Sequence, residues 1–328
     1  MEKNLMLENK LDKQGILPRI FAGTNKYIVL IALGVVIIIF SILTPNFLSI
    51  NNFYAIGLTL SVVGIICIGQ TLCILVRGFD LSVGSVAALA GIMIAYLTKS
   101  NVPYPLAFAI TIAFGITAGL INGFFIAKLK INALITTLAF MQIYLGLIYI
   151  ISGGYSITVP APVFSAIGTT RVWGIPLPII ILLALYLIFF VILKFTVFGR
   201  YIYSMGGNPE AARVSGINTT KLEMLVFTLS SVLAAFAGII LASRLGAAQT
   251  TAGGTYSMDS IAAVVLGGTA LSGGKGNIMG SLVGIAIVGV LQNGLIMINM
   301  PIYYQFVATG LVLIVAVLMQ TANQLKGK

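Results

Sequence analysis

Side chains that could carry acid–base or metal chemistry are scarce in this chain of 328 residues. It has no histidine and seven acidic residues, of which three lie within residues 1–12 and two, Glu210 and Glu223, lie in a polar loop discussed below. The other two, Asp80 and Asp259, stand far apart, so the sequence offers no paired-carboxylate site for general acid–base work. Cys67 and Cys73 lack the Cys-x-x-Cys spacing of a structural metal site. We therefore expect neither an enzyme nor a metalloprotein.

The stretch "TALSGGKGN" (residues 269–277) is the segment that comes nearest to a nucleotide-binding loop. A phosphate-binding loop requires Gly-x-x-x-x-Gly-Lys followed by Ser or Thr. Counting back from Lys275, the first position holds Thr269 and the position after the lysine holds Gly276, so the pattern fails at both ends. We expect this chain to bind no cofactor, and any ATP to be bound by another protein.

The composition is that of a membrane protein, with 59% apolar residues and only 8% charged residues. A soluble domain carries about 25% charged residues, and a span needs about 20 apolar residues. We predict an all-α polytopic protein of about ten transmembrane helices, in which residues 83–97 and 258–272 are short enough to be broken or re-entrant. The predicted segments are 27–43, 53–76, 83–97, 105–127, 131–151, 177–195, 224–242, 258–272, 278–298 and 303–319.

The basic residues indicate how these spans are oriented. If the N-terminus is cytoplasmic, 15 of the 18 Lys and Arg residues fall inside, and three fall outside: Lys99, Arg171 and Arg244. This positive-inside bias predicts that both termini are cytoplasmic, although eight spans with two re-entrant pieces would keep most of it. The predicted organisation is a tail (1–26), one transmembrane domain (27–319) with a cytoplasmic loop (196–223), and a second tail (320–328). The net charge of +11 then reflects topology, and no nucleic-acid partner is expected.

The polar segment "GRYIYSMGGNPEAARVSGIN" (residues 199–218) predicts a very short helix within that loop. Asn208 is a good N-cap, Pro209 suits the first helical position, and Glu210 complements the helix dipole. Gly216 can end the helix in a left-handed conformation. A helix of about seven residues spans about 10 Å and is barely stable alone in water.

Such a helix needs a partner surface, and Ala211, Ala212 and Val214 offer small apolar side chains to one. The alternative is an ordinary solvated loop helix without a partner.

Asp80 and four polar residues within the spans are candidates for a translocation pathway. Asp80 ends an apolar run and starts "DLSVG", where its carboxylate is expected to cap the helix from about Leu81. An uncharged pathway suits a neutral, hydroxyl-rich solute, but each amide could equally satisfy a neighbouring helix. The four span residues are Asn122, Gln142, Gln292 and Asn293.

Glycines with a small-xxx-small spacing predict close helix packing at two places. Gly115, Gly119 and Gly123 share one helical face, and Gly280 and Gly284 repeat the spacing later in the chain.

The segment "EAARVSG" resembles the Glu-Ala-Ala-x-x-x-Gly cytoplasmic motif of bacterial ABC-importer permeases, in which a short coupling helix docks on the ATPase. Further blocks resemble the ribose and simple-sugar branch of these permeases, and the likeness runs from about Asn46 to Leu318. One departure is Phe79, where a smaller aliphatic residue is expected before the aspartate. The blocks are "GFDLSVGSVAALAG", "GLINGFFIAKLKINALITTLA", "GRYIYSMGGNPEAARVSGIN", "YSMDSIAAVVLGGTALSGGKGNIMGSLVGIAIVGVLQNGL" and "YYQ".

The resemblance implies a subunit that forms the path for a neutral, ribose-like monosaccharide across the bacterial cytoplasmic membrane. It implies three protein partners: a second permease subunit, identical or related; an ATPase with tandem nucleotide-binding domains that holds ATP and Mg²⁺; and an extracytoplasmic sugar-binding protein. An ion-coupled secondary transporter of a small polar solute remains the alternative, since sodium can bind backbone carbonyls at broken helices. The implied ATPase-coupling residues are Gly207, Asn208, Pro209, Glu210, Ala211, Ala212, Arg213 and Gly216.

Overall fold

The computed structural model describes residues 25–159 and 162–311, together with residues 314 and 318. The predicted tail 320–328 lies outside the described residues, and so does the tail 1–26 except for its last two residues, which begin the first helix. The helices are α1 (Asn25–Leu43), α2 (Ile50–Leu75), α3 (Val83–Lys99), α4 (Tyr104–Gly123), which continues as a π-helix over Phe124–Lys128, α5 (Ala133–Ser152), α6 (Pro162–Thr169), α7 (Leu177–Phe195), α8 (Val197–Gly207), α9 (Pro209–Val214), α10 (Thr219–Leu245), α11 (Tyr256–Leu266) and α12 (Ile278–Met297). Residues 302–311 are also helical.

Strand structure is limited to four two-residue pieces in the described part of the chain. They are β1 (Ile157–Thr158), β2 (Arg171–Val172), β3 (Ile175–Pro176) and β4 (Ala247–Ala248). Two antiparallel pairs form from them, β1 with β4 and β2 with β3.

Long apolar helices dominate the molecule, as the composition predicts. Six are long and apolar enough to span a membrane by length and composition: Ile50–Leu75, Tyr104–Lys128, Ala133–Ser152, Leu177–Phe195, Thr219–Leu245 and Ile278–Met297. The prediction of an all-α polytopic membrane protein is therefore confirmed, with the two small strand pairs as additions.

Two of the predicted spans contain short helices preceded by non-helical backbone. Helix α3 has 17 residues and follows an irregular segment from Val76 to Ser82, in which Arg77 has a left-handed φ of 67°. Helix α11 has 11 residues and follows turns at residues 250–255. The predicted segment 258–272 is wrong at its C-terminal end, because the chain turns at Gly268 (φ 86°) and residues 267–277 form a loop.

Helix α10 is the centre of the bundle and packs against α2, α3 and α4. The glycine face of α4 makes the last of these contacts, and all three of its glycines are buried. A Cβ added at Gly119 would overlap the backbone of Thr228 on α10, and one at Gly123 would lie 2.8 Å from Cα of Met224. On α12, a Cβ at Gly284 would overlap the carbonyl of Ala263 on α11. The close packing predicted from the glycine spacing is confirmed at both places.

A tight hairpin joins β2 to β3 shortly before α7. Trp173 and Gly174 form its tip with φ values of 53° and 82°, and the indole of Trp173 is 95% exposed. At its base, the guanidinium of Arg171 lies over the ring of Tyr54 on α2, 5.3 Å from the ring centroid.

Candidate functional site

The short helix α9 has the local structure that its sequence predicts. The side chain of Asn208 accepts hydrogen bonds from the backbone N–H of Glu210 (3.1 Å) and of Ala211 (3.0 Å). Gly216 has a left-handed φ of 85° just beyond the end of the helix. The helix has six residues, one fewer than predicted, because Ser215 forms its C-cap.

One face of α9 is open to solvent and carries both charge and apolar surface. Val214 is 79% exposed, and Ala211 is exposed beside it. The guanidinium of Arg213 donates to both carboxylate oxygens of Glu210, at 2.6 and 3.2 Å. This hydrogen bonding and the positive charge of Arg213 lower the pKa of Glu210, and Glu210 raises the pKa of Arg213. The two side chains therefore form an ion pair on the exposed face at neutral pH.

The expectation that Ala212 faces a partner is wrong. Ala212 is 4% exposed, because α9 lies against α8 and α10 and turns this side chain inward. The surface that α9 can offer to another protein is narrower than the sequence indicates and centres on Ala211 and Val214.

The junction beneath α9 is held by Arg77, which sequence reasoning missed as a site residue. Its Nε donates to the carbonyl of Gly206 (2.7 Å) and its Nη2 to the carbonyl of Gly207 (2.5 Å). These two carbonyls end α8 and directly precede the cap of α9. The only sequence signal at Arg77 was its charge, which is equally explained by membrane topology.

The loop 267–277 closes the same junction from the other side. The N–H of Gly274 donates to the carbonyl of Leu75 (2.9 Å), and the hydroxyl of Tyr203 to that of Gly276 (3.2 Å). A Cβ at Gly206 would overlap both Leu75 and Gly274, so the three segments touch through backbone. The glycines of the rejected nucleotide motif therefore have a packing role.

Asp80 lies at the break between α2 and α3, but it is not the cap of a helix that starts at Leu81. Leu81 and Ser82 remain non-helical and α3 begins at Val83, so the predicted start was wrong. The Oδ1 atom of Asp80 accepts from the N–H (3.0 Å) and the hydroxyl (2.6 Å) of Ser82, and Oδ2 accepts from the hydroxyl of Ser230 (2.9 Å). The carboxylate thus fixes the turn before α3 and ties it to α10.

Asn122 belongs to the same polar cluster, since its side-chain amide donates to the hydroxyl of Ser82 (2.9 Å). Asp80 and Asn122 are both fully buried within the chain, with 0% exposure. Of the five pathway candidates, these two are joined through one intermediary, Ser82. Their burial favours a role in holding helices over direct contact with a solute.

The other candidates lie in three separate places. The amide of Gln292 donates to Asp259 (3.3 Å), which is buried in the first turn of α11. The amide of Asn293 donates to Asn52 on α2 (3.0 Å). Gln142 is exposed on the outer surface of α5. The predicted candidates therefore do not form one polar pathway within a single chain.

Ser257 connects the two breaks and was also missed from the sequence. Its hydroxyl donates to the carbonyl of Leu81 (2.8 Å) and accepts from the N–H of Gly84 (3.3 Å). Gly84 in turn packs directly on the backbone of Gly253, which precedes α11. The backbone N–H of Gly84 at the start of α3 is thus satisfied by a side chain in the first turn of the other short helix.

A multi-helix bundle with broken helices and an exposed, capped helix outside its spans is typical of a membrane transport subunit. The chain belongs to the family described as branched-chain amino acid transport system / permease component, whose model matches residues 52–317. It is accordingly a transport component of the inner membrane rather than an enzyme, and the family implies an ATPase and a substrate-binding protein as partners.

Curated relatives match along most of the chain. The ribose import permease protein RbsC of Haemophilus influenzae is 44% identical over 88% of this chain and 90% of its own. The protein of the same name from Escherichia coli strain K12 is 42% identical over 90% and 93%. The L-arabinose transport system permease protein AraH of that strain is 40% identical over 92% of each chain. No solved structure matches the chain.

Proposed function

We propose that this chain forms the translocation path for a neutral, ribose-like monosaccharide in an ATP-driven importer. The observation that carries the proposal is the 42–44% identity to two ribose import permeases over about nine tenths of the chain. An arabinose permease at 40% identity supports the wider class of pentoses.

The polar groups inside the bundle suit a neutral solute. Buried polar side chains are mostly hydroxyls and amides, and the buried carboxylates, Asp80 and Asp259, are already hydrogen-bonded to neighbours. A zwitterionic amino acid would require charged partners in a site of low dielectric constant. Hydroxyls and amides can replace the hydrogen bonds of water to a sugar without holding it tightly.

We further propose that α9 is the helix on which the ATPase docks. It is capped at both ends, yet it has too few residues to be stable without support. Its exposed Ala211 and Val214, together with the Glu210–Arg213 pair, would form the contact, while Gly207, Asn208, Pro209 and Gly216 set its shape. Ala212 would act from inside, by seating the helix on its own bundle. ATP and Mg²⁺ would be held by the tandem nucleotide-binding domains of that partner.

The proposed assembly also contains a second permease subunit, either a second copy or a related chain, and an extracytoplasmic sugar-binding protein. Gln142, exposed on α5, would face the pathway if α5 lines the junction of the two permeases. Gln292 would act beside the α11 break through Asp259, Asn293 would act at its contact with Asn52 on α2, and Asp80 and Asn122 would hold the α3 break in place.

We propose ten spans with both termini cytoplasmic, a single transmembrane domain over residues 27–319 and a cytoplasmic loop over 196–223. Helix α9 and the loop 267–277 then share the cytoplasmic side with Arg77. The Trp173 hairpin is then external, as are the β1–β4 pair and its surroundings. This arrangement puts 15 of the 18 basic residues inside.

Reconstitution tests the function directly. The chain is purified with the ATPase and binding protein encoded in its own genome, and uptake of radiolabelled ribose, arabinose and leucine into proteoliposomes is measured. We expect pentose uptake that requires both ATP and the binding protein and that persists when sodium and proton gradients are collapsed. Uptake driven by a sodium or proton gradient without ATP would instead establish the ion-coupled alternative.

A further inference from the structure

The irregular segment between α2 and α3, residues 76–82, is held at both of its ends by elements that flank α9. At its start, the side chain of Arg77 bonds the end of α8, which leads into α9. At its far side, Asp80 accepts a hydrogen bond from Ser230 on α10, which follows α9. Residues 76–82 are thus attached to the chain on both sides of the proposed docking helix. We call them the break segment.

The side chain of Arg77 attaches the break segment to the end of α8 through two hydrogen bonds. Two parallel N–H groups of one guanidinium reach two successive carbonyls, at 2.7 and 2.5 Å, so both the position and the orientation of the end of α8 are fixed. Charge-assisted pairs of this kind are roughly twice as strong as neutral hydrogen bonds. The residue itself has a φ of 67°, a strained value that the surrounding contacts maintain.

The break segment leads directly into the bundle. Ser82 is the N-cap of α3, and Gly84 on the first turn of α3 contacts Gly253, which precedes α11, and Ser257 in the first turn of α11. A movement of the break segment would therefore reach both short helices. Hydrogen bonds and backbone packing therefore connect Gly206, at the end of α8, to the starts of α3 and α11. Arg77 is the first side chain in this series of contacts.

We propose that Arg77 is the positioning residue that transmits movement of α9 to the break segment and, through it, to α3 and α11. The proposal deepens the proposed function and rests on it, since α9 moves only if an ATPase docks there. Arg77 touches neither solute nor nucleotide in this scheme. Its part is to make the end of α8 and the break segment move as one piece.

A lysine at this position would keep the charge but reach one carbonyl at a time, because its ammonium is a single point donor. A glutamine would lose the charge as well. Arg200 provides a matched control, since it is an exposed basic residue on α8 that takes no part in this junction. The test set is therefore Arg77→Lys, Arg77→Gln and Arg200→Gln.

Each variant is assembled with the ATPase and reconstituted, and hydrolysis of ATP is measured with and without the sugar-loaded binding protein. For both Arg77 variants we expect normal ATPase recovery and basal hydrolysis, with the ratio of stimulated to basal hydrolysis lower by about tenfold, which corresponds to ~1.4 kcal/mol. Arg200→Gln keeps the parental ratio. The thermal unfolding midpoint, measured on the same samples, should stay unchanged for Arg200→Gln and fall only slightly for the two Arg77 variants, each of which should still unfold in a single cooperative transition.

A parental ratio in Arg77→Lys and Arg77→Gln would overturn the proposal, because transmission would then run elsewhere. Failure of both variants to assemble would also overturn it, and would assign Arg77 to folding. Failure of the proposed function itself would give a different result. In that case the parent chain would not co-purify with the ATPase, or the sugar-loaded binding protein would not stimulate ATP hydrolysis. That result would remove both proposals together.

Discussion

At the scale of single residues, Asp80 is held through both of its carboxylate oxygens. It is fully buried, and its two oxygens accept three hydrogen bonds from Ser82 and Ser230. Hydroxyl groups can donate or accept, so they adapt to a change of partner, whereas the N–H of Ser82 can only donate. The site therefore needs an acceptor at position 80 more than it needs a charge.

Asp80→Asn should retain most transport, while Asp80→Leu should not. Asparagine keeps one oxygen for Ser82, and its amide group can donate to Ser230. Leucine leaves buried donors without a partner, which costs roughly 1–3 kcal/mol for each. Membrane level, thermal midpoint and sugar uptake of the two variants measure the difference. Equal loss of uptake in both, with normal insertion, would mean that the negative charge itself is required.

The Glu210–Arg213 pair gives a second prediction at this scale. Glu210→Lys would put two like charges three residues apart on α9 and remove a favourable dipole interaction of about 0.3–1 kcal/mol. We expect it to reach the membrane normally and to lose stimulated ATP hydrolysis and uptake. Glu210→Gln, which adds no repulsion, should lose less.

The pH dependence of the pair has a definite sign. Because Arg213 lowers the pKa of Glu210, the stabilisation that the pair gives to α9 is fully present above the ordinary pKa of a glutamate. It is lost only as the pH falls through the lowered value. Uptake by the parent should therefore show no step from this pair near neutral pH. A step there that disappears in Glu210→Gln would contradict the assignment.

Gly216 allows a substitution with a matched control. Its φ of 85° penalises a β-branched side chain by roughly 1 kcal/mol or more, yet nothing lies within 4 Å of an added Cβ. Gly216→Val should lower ATPase recovery and uptake at normal membrane levels, whereas Gly216→Asn, which tolerates this conformation, should stay near the parent. Full activity in Gly216→Val would contradict a docking role for α9 and would mean that "EAARVSG" is an ordinary solvated loop.

At the scale of elements, the packing of α4 on α10 is sensitive to overpacking. A Cβ at Gly119 would overlap the backbone of Thr228, which cannot move aside as a flexible side chain would. Gly119→Val should therefore lower the thermal midpoint by an amount equivalent to about 1–3 kcal/mol or more. Gly146→Val on α5, where nothing lies within 4 Å, is the control. Equal midpoints would show that α4 and α10 can separate without cost.

Local signals explain which of these elements the sequence could predict. The Asn208 cap and the Gly216 end are set by neighbouring residues, and the predicted helix is confirmed to within one residue. The start of α3 was misplaced because Asp80 bonds to Ser82 and to Ser230, which lies 150 residues away. Arg77 bonds Gly206, which is 129 residues away, so no local pattern could reveal it. Ala212 likewise depends on how α9 sits on the bundle.

At the scale of the whole molecule, topology is open to a direct test by cysteine labelling. Cys67 and Cys73 are buried and free, so the parent should react little with a membrane-impermeant maleimide. Single cysteines near Lys128 and Pro209 should be protected in intact cells, and those near Ser49 and Thr169 should label. Gly327, also expected inside, lies outside the described residues. External labelling near Pro209 would exclude docking of an ATPase on α9.

The hairpin between β2 and β3 carries a tryptophan whose fluorescence can report binding at that surface. The chain has one tryptophan, and Trp173 holds that indole 95% exposed at the tip of a two-residue turn, on what the proposed topology makes the outer face. Indole fluorescence from the purified permease therefore originates from that face alone. A binding protein made without tryptophan should shift this emission to shorter wavelengths if it covers the hairpin. An ATPase prepared in the same way should leave the spectrum unchanged. The emission of Trp173 therefore reports binding of the sugar-binding protein in the presence of the ATPase, without an added dye.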